Sequence, residues 1–209
     1  MGGPVASVVL ARHPDSTDLL SRLRLLNTDN LPAARSDGWF ETRIHTTIPI
    51  GGSYTGEGRL FDVGWEPDDH LGAYEEDEPG WVQTIVTRFG FAPSSSIGIA
   101  AGINRPADHR ILGELALYLA RVYGGVINFN GALIPASTHS EEEKASLTRP
   151  FDASWSQIAA PREQFFAKLP GRIVALPYRV TDDRMWVTHV ADCEFMAAWL
   201  SHPDFHMIK

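Results

Sequence analysis

Eight histidines, a single cysteine and several runs of neighbouring carboxylates are the groups in this 209-residue chain with the capacity for chemistry. His202 and His206 stand four apart, a spacing that brings two imidazoles onto one face of a helical turn and lets them hold a metal ion. Pro203 lies between them, and the His-Glu pair of the zinc-protease motif is missing. The pattern reads instead as a chain end that docks through Phe205 and Ile208. His109 follows Asp108 in the first turn of an expected helix, where an imidazole can serve as acid or base but more commonly packs at the helix start. His189 shares the segment Met185 to Val190 with Trp186 and Thr188, and Asp192 follows three residues on. Such a His–Asp pair activates a nucleophile only when a serine or cysteine is aligned with it. Cys193 is close in sequence and sits at an expected helix start, which lowers a thiol pKa. A solitary cysteine is more often a small buried apolar group. No catalytic residue, metal ligand or cofactor is therefore assigned. The enzymatic alternative is a small hydrolase or transferase using His109 or His189 with nearby carboxylates.

The run Gly51 to Gly58 has the look of a phosphate loop, but the lysine that would reach the phosphates is absent and Glu57 would repel them. It reads as a hairpin turn. The carboxylate runs Asp68-Asp69, Glu75 to Glu78, Glu141 to Glu143 and Asp182-Asp183 fall in polar stretches. Glycosidase or metal chemistry needs carboxylates converging from separate strands, and no calcium-loop pattern is present. Solvated charge is the plain reading of these runs. The functional reading is an acidic surface that meets a basic partner. Of the six tryptophans, Trp81, Trp155 and Trp199 lie on apolar stripes, whereas Trp39 and Trp65 border loops and could anchor an interface. The candidate partner-binding residues are Trp65, Asp68, Asp69, Glu75, Glu76, Asp77 and Glu78.

The whole-chain balance agrees with this choice. There are 18 basic and 26 acidic residues, for a net charge of −8, and only three lysines. That disfavours nucleic acid, whose phosphates need clustered Lys and Arg. With 44% hydrophobic and 21% charged residues the chain is neither disordered nor a fibre. One cysteine excludes a disulfide scaffold, and no apolar run is long enough for a membrane span. The N-terminal apolar stretch is short and ends in Arg12, so no secretory signal is read and the expected location is cytoplasmic.

Periodicity supplies the elements. Strands are expected at Val5 to Leu10, Phe40 to Ile48, Arg59 to Val63, Ser96 to Ile103, Val126 to Leu133, Arg172 to Val180 and Met185 to Val190. The last two form a hairpin over the four-residue link Thr181 to Arg184. Helices are expected with Leu19, Leu23 and Leu26, with Trp81, Ile85 and Phe89, over 107–123, after Pro161 with Phe165, Phe166 and Leu169, and after Asp192 with Phe195, Met196, Trp199 and Leu200. Interleaved strands and helices with hairpins mixed in point to a single α+β domain over 1–209. Its sheet is mixed but mostly antiparallel, with helices packed against it.

Three stretches carry a resemblance. They are Gly3 to Leu10; His109 to Ala116, running on through Leu119-Ala120-Arg121 to Gly124-Gly125-Val126-Ile127-Asn128-Phe129-Asn130-Gly131-Ala132-Leu133; and Phe195 to Lys209. Together they resemble a family of small uncharacterised bacterial cytoplasmic proteins associated with immunity proteins of polymorphic toxin systems. The resemblance implies a non-enzymatic binding protein whose partner is a basic toxin domain, and it carries over no catalytic residue. The remaining alternative is a homo-oligomeric accessory or scaffold protein, a homodimer pairing the exposed face of Phe40 to Ile48 across a two-fold axis.

Overall fold

Strand β1 (Val5–Leu10) sits in the interior of the sheet and divides its apolar side chains between two cores. Ala6, Val8 and Leu10 lie in one, and Val9 lies in the other. A β-branched strand with both faces covered has no need of polar alternation. The computed structural model describes residues 3–26, 33–34, 39–44, 59–66, 80–135, 163–181 and 184–208. Within them β1 is joined by β2 (Ala33–Ala34), β3 (Trp39–Ile44), β4 (Arg59–Glu66), β5 (Ser95–Ala101), β6 (Val126–Asn128), β7 (Ile173–Thr181) and β8 (Arg184–Ala191). The sheet order is β2-β3-β4-β5-β1-β6-β8-β7. The helices are α1 (Ser16–Leu25), α2 (Trp81–Phe89), α3 (Pro106–Tyr123) and α4 (Cys193–Leu200), with one further helical turn at 163–166. The expected α+β architecture is present.

Every described pairing is antiparallel. The expected parallel component is absent from adjacent strands for a topological reason. β5 and β6 both run antiparallel to β1 and flank it, so they are parallel to each other with β1 between them. The connection that makes this possible is α3, a crossover far too long for a hairpin.

Helix α3 fills the larger core. Ile111, Leu112, Leu115, Ala116 and Leu119 recur at helical spacing and are all buried. Each of the leucine and isoleucine side chains contributes roughly 1.5–3 kcal/mol by leaving water. The helix starts at Pro106, and the Asp108 carboxylate accepts the Arg105 backbone N–H at 3.1 Å. It stops where Gly124 turns left-handed at φ 69°. Gly113 faces α4, where a Cβ would collide with Phe205, Met196 and Leu200, so the absence of a side chain sets the close approach of α3 and α4. Helix α1 joins the same layer through Leu19 and Leu23, with Asp15 Oδ1 accepting from Thr17 N at 2.8 Å as its cap. Phe195, Met196 and Trp199 bring α4 into it.

Helix α2 covers part of the opposite face. Trp81 and Ile85 pack with Val9, Val126, Leu176 and Val190. Gly90, at φ 86°, closes the helix.

Several expected bounds shift. β3 covers Trp39–Ile44, and residues 45–48 lie outside the described residues, as do Trp155 and the glycine run 51–58. β4 extends past Val63 to Glu66 because β5 continues the ladder, pairing Gly64 with Gly98, Trp65 with Ile97 and Glu66 with Ser96. β5 stops at Ala101, not Ile103. β6 ends at Asn128 rather than Leu133. The Asn128 side chain accepts the Asn130 N–H at 2.9 Å, and Asn130 adopts φ 53°, which turns the chain out of the ladder. The segment after Pro161 forms a single turn at 163–166, since Lys168 N and Leu169 N bond three residues back to Phe165 and Phe166. Thr181 pairs with Arg184, so the link of the last hairpin is the two residues 182–183.

Candidate functional site

The acidic candidates fall in sequence between two described elements. β4 ends at Glu66, in register with Ser96 of β5. α2 begins at Trp81, whose side chain is 5% exposed. Asp68, Asp69, Glu75, Glu76, Asp77 and Glu78 fall in the intervening span and lie outside the described residues. Trp65 lies in a strand paired to β5, opposite Ile97, one residue before that strand ends at Glu66.

The histidines are brought to positions that periodicity does not reveal. His109 is half-buried; its Nδ1 accepts the Met207 N–H at 2.9 Å and its Nε2 donates to Asn104 Oδ1 at 2.7 Å. Burial pushes its pKa below the ordinary 6.5, with His206 adding to the effect and Asp108 opposing it. His189 is buried on β8, and its Nδ1 accepts the Leu133 N–H at 2.9 Å. Its ring meets Phe166 edge-on. His202 stacks on Trp199 at 5.4 Å, with its Nδ1 accepting from Asp204 N. His206 Nδ1 donates to the Asp204 carbonyl. These bonds set His202 and His206 to local turn geometry, and among the described residues no cluster of three potential ligands could hold a metal.

Asp192 does not serve His189. Its carboxylate caps α4 by accepting from Phe195 N at 2.9 Å and pairs with Arg172 at 3.1 Å. Cys193 does open α4, but burial pushes its thiol pKa up, with Asp192 adding to the rise and Arg121 opposing it. Desolvation outweighs the helix terminus here, so the thiol is held away from the reactive thiolate.

Sequence reasoning missed one grouping. Ser7, Asn128 and Thr188 occupy neighbouring positions on β1, β6 and β8, one step along from the Val9, Val126 and Val190 row beneath α2. Ser7 Oγ donates to Asn130 Oδ1 at 3.1 Å, Thr188 Oγ1 donates to Asn128 Oδ1, and Gly131 N donates to Thr188 Oγ1 at 3.0 Å. The chemistry is neutral and uncharged, and its internal bonds account for the end of β6. The Asn-Phe-Asn-Gly run was the available signal, since Asn and Gly mark turns.

No described helix is long and apolar enough to cross a membrane. The model of a family described as being of unknown function, DUF6368, matches residues 2–209. No curated protein and no solved structure matches the chain significantly.

Proposed function

The chain belongs to the DUF6368 family, and on its own residues we propose that it is a cytoplasmic, non-enzymatic binding protein that takes a basic protein surface, in the manner of an immunity protein occupying a cognate toxin. The observation that carries this reading is the density of carboxylates in the sequence between β4 and α2. A dense run of carboxylates in a chain of net charge −8 departs from a laddered strand and returns at a helix whose first residue is buried. Concentrated charge of one sign accelerates encounter with a surface of the other. The histidines support the same reading. His109, His189 and His202 each commit Nδ1 to a backbone N–H within the fold. An acid–base role for His109 or His189 would have to give up such a bond or work through Nε2 alone.

Copurification of a tagged chain from its native source at low salt, followed by mass spectrometry, tests the proposal. The expected result is a protein partner with a basic face that is released as salt rises through roughly one Debye-length regime, from about 0.05 to 0.5 M. Absence of any such partner, together with turnover of a small molecule that His109→Ala or His189→Ala abolishes, would overturn it.

A further inference from the structure

The end of the chain is fastened by hydrogen bonds in which imidazole nitrogens are the acceptors. After α4, residues 202–208 fold back across the α3–α4 layer to β1. Met207, 1% exposed, donates its N–H to His109 Nδ1 at 2.9 Å. Asp204 donates its N–H to His202 Nδ1 at 3.1 Å. Trp199 Nε1 donates to the His206 carbonyl at 3.1 Å, and Val5 N donates to the Ile208 carbonyl at 3.0 Å. The side chains fill spaces left by glycines: Phe205 lies against Gly113 and Ile208 against Gly131.

A ring nitrogen accepts a hydrogen bond only while it is unprotonated; in the imidazolium both nitrogens are donors. With Nδ1 accepting, neutral His109 carries its proton on Nε2, which Asn104 Oδ1 accepts. A second proton must therefore go to Nδ1. There it would point at the Met207 N–H, leaving that buried amide with no acceptor. The proton on Nε2 is unaffected, so the loss falls wholly on the tail. The charged and titratable groups around His109 are Asp108 and Arg110 on α3 and His206 on the tail, and Arg110 reaches over Phe205 to the Leu200 carbonyl.

We propose that residues 202–208 are a histidine-latched strap, fastened through His109 Nδ1 at neutral pH and released from the α3–α4 surface when that nitrogen takes up a proton. The sign follows from burial. Docking favours the neutral imidazole, so His109 titrates below 6.5 when docked and returns to its ordinary value when free. The latch is complete above about pH 6.5 and loosens as pH falls through the docked-state value.

Hydrogen exchange on the full chain tests this at pH 7.5 and pH 5.0, corrected for intrinsic exchange. Protection of the Met207 amide should fall by about tenfold or more at the lower pH while amides around Leu115 on α3 stay protected. His109→Gln supplies an acceptor oxygen that does not titrate, so its strap should stay protected at both values. His202→Gln should keep the pH response. Equal Met207 protection at both pH values in the wild type overturns the proposal. So does parallel loss at Leu115, which means acid unfolding, and so does a pH response that survives His109→Gln. If His109→Gln does not fold, nitrogen NMR of the wild type decides: the His109 titration must coincide with the loss of Met207 protection, and a mismatch overturns the latch.

Discussion

The two faces of the sheet are built to different depths. One carries α1, α3, α4 and the returning tail over a continuous core that includes Leu10, Leu19, Ile97, Leu115, Phe129, Phe195 and Trp199. Its far end is closed by aromatic rings meeting edge-on, with Phe165 and Phe166 set against Trp199 and Phe166 against Phe195. The other carries the nine-residue α2 over a smaller core, and the row beside it holds Ser7, Asn128 and Thr188. Among the described residues the larger buried core lies on the first face. The acidic span lies outside the described residues, between β4 and α2 in sequence, and among the described residues α2 is a helix of the second face. A face that carries less of the fold is freer to carry charge for another purpose.

The largest break in this comparison is Leu115→Ala. It removes a fully buried side chain at the centre of α3 and should cost about 2–5 kcal/mol in denaturant melts. A loss under about 1 kcal/mol would place α3 at the periphery and invert the account. The matching change on the other face, Ile85→Ala, should fall near the low end of that range, about 2 kcal/mol, because α2 can settle onto the sheet. Native-state hydrogen exchange should then show α2 opening while α3 stays closed. Global opening at the same free energy would mean that the two faces are one unit. Deleting 203–209 should cost roughly 1–2 kcal/mol and lower Tm by a few degrees, since Met207 and Phe205 leave the larger core. An unchanged Tm would free the tail for a partner contact. The smallest effect is chemical. Cys193 should react with a disulfide reagent at neutral pH about tenfold more slowly than a free thiol, because burial holds its pKa up. Rapid labelling would reopen a catalytic role at the start of α4.

How far the sequence could be read differs between elements. α3 was legible because an apolar stripe over five turns, a proline at one end and two glycines at the other all agree. The α4 cap at Asp192 and the docking of the tail were legible for the same reason, although Met207 is its most buried residue rather than Phe205 or Ile208. β6 was overestimated because Phe129 and Leu133 are as apolar as Val126 and Ile127. What stops the strand is an Asn128 side chain bonding two residues ahead, which hydropathy does not register. The true roles of His109 and His189 were not legible. Their partners, Met207 and Leu133, are 98 and 56 residues away in the chain. The end of β4 was placed short, at Val63, because Gly64 and Glu66 read as loop residues, while the backbone pairing with β5 continues to Glu66.

On the proposed reading the acidic span serves binding and not folding. The direct measurement is a paired one on the variant with Asp68→Asn, Asp69→Asn, Glu75→Gln, Glu76→Gln, Asp77→Asn and Glu78→Gln, which takes the net charge from −8 to −2. Its stability in denaturant should stay within about 0.5 kcal/mol of wild type, as for exposed substitutions. Its association rate with the copurified partner at low salt should fall by about tenfold or more, and the salt dependence should flatten. Unchanged association with the wild-type salt slope would contradict the claim, and lost stability alongside it would assign these carboxylates to the fold.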